Sequence, residues 1–328
     1  MRIKSLFWIF SFVLTAFSIA GCKKDRNNNN NNNDPQASQL NELFKQLKSQ
    51  PQTFTVKSGE YVTIQGAGGT VIKFHPESFV DKDNNYVVSG INLKVTLTEA
   101  LDYRAMIANR VQTITENKQR LISGGAVKVE VSFEDTEIYV RDYSVSFLTT
   151  ENPPSDLMAL YTGYESSQPA GNVVMWYDDT TGTTKSNRMD NNINGGVNLY
   201  FTFDSVTTLG WINCDYFFNH TGPKTDIGVT FPDNTFNEKN TEVYVVFPQI
   251  NSVSGLYNYL PNANSFTMGY AGYHIPVGSV IHVMTVTEKN NQYYMAVQKD
   301  ITVTHNHTVN VSPQPATFAE ITTALQGL

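Results

Sequence analysis

Ile91-Asn-Leu-Lys-Val-Thr-Leu97 decides the fold. Apolar side chains fall on every second residue with polar ones between them, which is the period of an extended strand with one dry face and one wet face. The same period returns in Val127-Lys-Val-Glu-Val-Ser-Phe133 and in Val243-Tyr-Val-Val-Phe247. One wet face per strand implies antiparallel sheets rather than a parallel α/β core. Turn formers punctuate the strands at Gly66-Ala-Gly-Gly69, Asp83-Asn-Asn85, Gly124-Gly125, Asn194-Gly-Gly196 and Lys289-Asn-Asn291. Many short strands at such spacing build sandwiches or barrels. The expected fold is therefore all-β, with two antiparallel β-sandwich domains and short N- and C-terminal helices.

Outward from the strands, Asp34-Pro35 suits a helix start, the carboxylate capping amides and the proline taking the first helical position. Leu40, Leu43, Phe44 and Leu47 then form one apolar stripe, predicting an N-terminal helix within 35–50 that packs on the sandwich. At the far end Thr317-Phe-Ala-Glu320 has capping-box spacing, and Phe318, Ile321 and Leu325 fall on one face of a helix within 313–328. A run of turn formers, Asn219-His-Thr-Gly-Pro-Lys224, marks the expected boundary between a larger domain, 51–220, and a smaller one, 224–312. The smaller reads as a seven-stranded immunoglobulin-like or transthyretin-like sandwich. No internal repeat of fixed period is present.

Among 328 residues, 40% are apolar and only 16% charged, with 23 basic against 30 acidic side chains. That balance excludes a nucleic-acid surface spread over the whole molecule, because neutralising phosphates takes clustered Lys and Arg.

The amino terminus carries Arg2 and Lys4, an apolar run from Ser5 to Ala20, and then Ile19-Ala-Gly-Cys22. A charged start, an apolar stretch and small residues before a cut site make a signal peptide, here 1–21. The run is short for a membrane span, which needs about 20 apolar residues. Cys22 stands where a lipoprotein precursor is cut and its new terminal cysteine acylated, and in this the chain resembles bacterial lipoproteins. Lys23-Lys-Asp25 is similar to the start of mature surface lipoproteins of the Bacteroidota. Asn27 to Asn33 are seven asparagines in a row, a tract with no apolar side chains to pack, so 22–34 reads as a lipidated cysteine and tether. Its flexible residues reach about 20 Å. The implied location is the outer membrane, held by lipid and facing the exterior, or else the periplasmic face. With Cys22 acylated, Cys214 has no intramolecular partner; alternation places it with Ile212 and Tyr216 as a buried, inert thiol.

Gly68-Gly-Thr-Val-Ile-Lys-Phe-His-Pro-Glu-Ser-Phe79, followed by Gly90-Ile-Asn-Leu-Lys-Val95, resembles the β-sandwich module shared by netrin receptors, ankyrins and zona-occludens proteins. The resemblance implies a structural and interaction module rather than an enzyme. Leu157-Met-Ala-Leu-Tyr-Thr-Gly163, Val174-Met-Trp176, Leu209 to Phe217 and Ile275-Pro-Val-Gly278 are similar to Bacteroidota lipoproteins containing that module.

Strong catalytic signatures are absent: there is no Gly-x-Ser-x-Gly, no His-Glu-x-x-His and no glycine-rich loop opening a helix. His305-Asn-His307 has the spacing of a weak metal-ligand pair but is better explained as a hairpin turn with both rings in solvent. His282, alternating with Val280 and Met284, suits a satisfied core histidine, and His274 a strand end. Glu99 and Asp102 read as solvated carboxylates. The candidate ligand platform is 257–273, where Tyr257, Tyr259, Phe266, Tyr270 and Tyr273 stand among Asn258, Asn262 and Asn264. Aromatic faces beside amides can stack on sugar rings or anchor a protein. The competing and favoured reading has these rings covering strand ends and sealing the sandwich. Trp176 and Trp211 are expected in the core of the larger domain. Together these readings predict a non-catalytic outer-membrane lipoprotein that presents β-sandwich modules for binding or structural interaction and needs no cofactor. The alternatives are a glycan-binding accessory of polysaccharide uptake or a fimbria-type surface subunit.

Overall fold

In the computed structural model, which describes residues 35–149, 157–178, 187–193, 196–268 and 275–328, the alternation at 91–97 becomes strand Asn92–Ala100. It lies between Gln52–Lys57 and Leu121–Phe133 in a large sheet that continues through Gly210–Phe217, Ala159–Gln168, Gly171–Trp176 and Val111–Thr115. A second sheet runs Asn187–Ile193, Gly196–Val206, Tyr143–Thr149, Val71–Phe74, Val62–Gln65. Because alternate side chains leave a strand on opposite faces, Leu93, Val95, Leu97, Val127, Val129 and Val131 all meet Ile72, Phe74, Val145, Phe147 and Phe201 of the second sheet. Phe79, just past the Pro76 turn, fills the same core, its ring 4.8 Å from that of Phe74. Cys214 is fully buried there beside Ile212, as its alternation predicts.

From residue 224 onward a second pair of sheets forms. One runs Ser252–Gly255, Thr241–Phe247, Val280–Lys289, Gln292–Thr302, Gln314–Ala316, and the other Asn258–Leu260, Ser265–Thr267, Ile227–Thr230, His307–Asn310. The expectation of seven strands is revised: eleven are described from residue 224 on, several of two or three residues. Pro248 and Pro261 open single 3-10 turns that cut the chain into these short pieces. One of the eleven, Gln314–Ala316, lies past the expected limit of 312 as a sheet edge, where Pro315 is tolerated. Pairing is antiparallel except at Gly171–Trp176 with Val111–Thr115 and at Ile227–Thr230 with His307–Asn310.

Among the described residues no ladder joins the sheets on either side of 219–224, where the boundary was expected. The core does not respect it. Thr241–Phe247 was expected to have a wet face, yet all seven of its residues are buried. Val243, Val245 and Phe247 face an apolar cluster shared with Ile227, Val229 and Phe266; Tyr244 and Val246 face another that contains Val111, Trp176 and Tyr161. Trp176 is fully buried and Trp211 half-buried in that shared layer. Helix α1 (Pro35–Leu47) seals it with Leu40, Leu43 and Phe44, and helix α3 (Phe318–Gln326) with Ile321 and Leu325. Asp34, the expected cap of α1, lies outside the described residues. The capping box at α3 forms, Glu320 N–H donating to Thr317 Oγ1 at 3.2 Å and Thr317 N–H to Glu320 Oε2 at 2.7 Å. Phe318, expected on the buried face, is 37% exposed because it occupies the first helical position, ahead of the turn that packs.

Polar side chains fasten the two halves through this layer. Arg110 reaches Asn41 of α1 at 2.6 Å, the Ala170 carbonyl at 2.8 Å and Glu242 at 2.9 Å, with its guanidinium 4.4 Å from the centre of the Phe44 ring. Asn251, in the left-handed region at φ 48°, accepts from Tyr103 N–H at 2.9 Å and donates to the Leu101 carbonyl at 2.9 Å. Thr113 Oγ1 accepts the Val253 N–H at 2.8 Å, and the Gly255 N–H donates to Gln112 Oε1. These side chains close two strand edges, Val111–Thr115 and Ser252–Gly255, that would otherwise leave backbone groups unpaired.

Candidate ligand-binding site

The stretch chosen as ligand platform divides into rings that pack and amides at the surface. Asn258–Leu260 pairs with Ser265–Thr267 around the Pro261–Ala263 turn, which Asn264 closes at φ 46°. Register places Tyr259 opposite Phe266, with ring centroids 5.0 Å apart. Phe266 is not a surface ring: it is 1% exposed, because it sits on the inward side of its strand and packs 5.4 Å from Phe231. Tyr259 is half-buried over it, and burial raises its phenol pKa, with Glu238 and Asp233 adding to the shift. Asn258 donates to Thr267 Oγ1 at 2.8 Å, so its amide is engaged across the hairpin, while Asn262 is exposed at the tip. Tyr270 and Tyr273 lie outside the described residues, as does Cys22.

Tyr257 differs from the others. A Cβ on Gly255 would lie 2.1 Å from the Tyr257 hydroxyl oxygen, so the phenol folds back flat over a strand position that only glycine leaves open. It thereby becomes one wall of a cleft lined by Gln112, Ile114, Lys118, Gln168, Met175, Gly255, Tyr257 and Met268. The space enclosed within it is about 20 Å³, room for about one water molecule. Among the described residues its lining contains two carboxamides, an ammonium and a phenol. Gln112 is 1% exposed, and its Oε1 is committed to the Gly255 N–H, which fixes the amide so that Nε2 is the remaining group. That Nε2 is buried and has no hydrogen-bond partner. Burial lowers the pKa of Lys118, whose backbone is held in the left-handed region at φ 64°. The cleft was not foreseen from the sequence, because its walls come from chain segments far apart and only Tyr257 carried a signal.

The remaining candidates have structural tasks. His305 is exposed in a turn whose next residue, Asn306, has φ 50°, and His307 Nδ1 accepts the Thr304 N–H at 3.1 Å. Among the described residues no cluster of three or more His, Cys, Asp or Glu side chains is arranged to hold a metal. His282 is 7% exposed and accepts the Asp300 N–H at 3.0 Å. Glu99 and Asp102, read as solvated, both serve the backbone. Glu99 accepts the Gly68 N–H at 2.7 Å and the Thr70 N–H at 3.1 Å, holding the Gly66–Gly69 turn, and Asp102 caps helix α2 (Tyr103–Ala108) by accepting the Ala105 N–H at 2.8 Å.

Asp215 is a fully buried carboxylic acid at a bulge in Gly210–Phe217, where it accepts from Asn213 Nδ2 at 2.6 Å. Burial raises its pKa well above the usual carboxylate range; hydrogen bonds from Ser123, Gly124 and Asn213 only partly oppose this. A folded-state pKa above the unfolded one gives stability that is full below the unfolded pKa and is lost as pH rises through the folded one. Asp215→Asn keeps the shape without the charge. Its stability relative to wild type is therefore expected to improve as pH rises from about 4 towards neutrality. Parallel urea titrations across that range check the slope, and a difference that stays flat or falls with pH contradicts it.

No family model matches the chain, and no curated protein matches it in sequence.

Proposed function

We propose that this protein is a lipid-anchored outer-membrane protein whose β-sheet body faces the cell exterior and binds a ligand without transforming it. The observation that carries the reading is Ile19-Ala-Gly-Cys22 directly behind the apolar run, with Lys23-Lys-Asp25 and the asparagine tract following. Acyl chains contribute about 0.8 kcal/mol of membrane affinity per buried methylene, so more than one chain on Cys22 anchors the body stably. Without Arg2 and Lys4 the chain carries 21 basic against 30 acidic side chains, so lipid rather than charge holds it to an anionic membrane. No helix among the described residues is long and apolar enough to span a bilayer. Cys22→Ala is expected to move the protein from the membrane pellet to the soluble fraction, and mass spectrometry of the wild-type terminus to find a diacylglyceryl adduct. An unmodified, intact precursor in wild-type cells overturns the anchor. Protease digestion of intact cells tests which way the body faces.

A glycan is the ligand class that the surface favours. Tyr257 offers a ring face at the wall of a cleft rich in hydrogen-bond donors, and Asn262 stands exposed nearby in the chain.

A further inference from the structure

We propose that the outer face of the Phe79–Val80 hairpin binds a neutral β-linked glycan chain, with sugar rings lying on Tyr86 and Tyr139 and hydroxyls accepting from Arg141. The site is separate from the Tyr257 surface and does not depend on it.

Strand register builds the face. Val80 pairs with Tyr139 on one side and is bridged to Tyr86 on the other, and residues directly opposite one another share a face. Their neighbours Phe79 and Val140 point the other way, into the first core. Tyr86 remains 48% exposed and Tyr139 42%, while Val80 between them is 3% exposed yet belongs to none of the three apolar clusters. Its cover comes from the outer face itself, where the two rings flank it. Arg141, two positions beyond Tyr139, leans across the same row, its guanidinium carbon 5.0 Å from the centre of the Tyr86 ring. The row is held before any ligand arrives. The Tyr139 hydroxyl donates to Glu137 at 3.0 Å, and Asp81 ties the turn ahead of Tyr86 by accepting the Asp83 and Asn85 N–H groups at 2.8 and 2.9 Å.

Size and charge select the ligand. Three adjacent strands span about 10 Å, so this row is far smaller than the roughly 800 Å² that one side of a stable protein interface covers. Around it the charges of Arg141 and Lys82 are offset by Asp81, Asp83 and Glu137, so no net positive charge draws a polyanion. A neutral sugar chain suits both limits: its C–H faces lie on the rings and its hydroxyls accept from the guanidinium. Two rings on one side of a sheet favour an extended ribbon, as in a β-linked glucan, over the coil of an α-linked one.

The test titrates the purified full chain with cellohexaose and with maltohexaose, following heat of binding and the ring resonances of Tyr86 and Tyr139. Cellohexaose is expected to shift both sets of resonances and to bind at least about tenfold more tightly than maltohexaose. Tyr86→Ala and Tyr139→Ala are each expected to weaken it about tenfold or more. Tyr139→Phe, which keeps the ring and drops the Glu137 bond, is expected to restore most of that loss. If an alanine variant does not fold, the wild-type ring resonances still decide. Affinity that Tyr86→Ala leaves intact, or binding that shifts neither ring, overturns this site while the glycan reading at Tyr257 stands. Maltohexaose bound as tightly as cellohexaose overturns the β-linked assignment. A concentration-dependent dimer that Tyr86→Ala dissolves gives the face to a second copy and overturns the glycan. No binding of either hexasaccharide up to about 10 mM overturns the proposal, and membrane fractionation judges the lipid anchor separately.

Discussion

Replacing Glu242 by alanine is expected to destabilise the protein by about 3–5 kcal/mol, enough to unfold much of the population at 37 °C. The side chain has no exposure and lies 2.9 Å from Arg110, which is itself only 6% exposed. Burial pushes the Glu242 carboxyl upward and Arg110 pulls it back, so each charge is tolerable only because of the other. Alanine leaves a guanidinium in a dry layer without its carboxylate, though Asn41 and the Ala170 carbonyl still accept from it. Arg110→Met in the same background separates the two contributions. If the pair is the issue, the double variant recovers part of the loss, because an apolar pair of similar volume avoids the unpaired charge. Urea unfolding of both single variants and the double variant closes the cycle. Strictly additive losses would show that Glu242 and Arg110 act independently.

Trp176→Ala is expected to cost about 3–5 kcal/mol by a different mechanism. The indole is fully buried in the layer shared by both halves, and its Nε1 donates to the Gln112 carbonyl. Truncation opens a cavity and frees a carbonyl on the very strand that carries the cleft amide. Trp176→Phe retains most of the volume and loses only the donor, so it is expected to cost about 1–2 kcal/mol. Thermal and urea unfolding read both. Equal losses for alanine and phenylalanine would show that the hydrogen bond, and not the packing, dominates. Both variants are also expected to disturb the Gln112 amide resonances, because the indole fixes the backbone beneath them.

The strands and both terminal helices were legible because their signals are local. Leu93, Val95 and Leu97 declare a period, and Thr317 with Glu320 declares a cap, without reference to the rest of the chain. What failed was the inference from polarity to water in strand 241–247. In Thr241–Phe247, Glu242 and Tyr244 look like a solvent face, yet they are buried polar groups facing Arg110. A charge paired across the fold reads in sequence like a charge in solvent, since its partner is 132 positions away. The platform was half legible: aromatic clustering found Tyr257, but the pleat that turns Phe266 inward appears only once the register is known. Gln112 gave no signal at all, because its importance comes from the Gly255 amide that occupies one end of it.

The two-faced burial of Thr241–Phe247 has a consequence for how the chain comes together. Its C-terminal sheets have no outer surface of their own on the Tyr244 and Val246 side until earlier residues supply one, and Val111, Tyr161 and Trp176 likewise wait for a cover made later. Synthesis proceeds from the amino end, so the first half stands unfinished, apolar side outward, until strand 241–247 arrives. Strand 241–247 acts as the keystone, and the interval before it seats is when the young chain most needs protection from its neighbours.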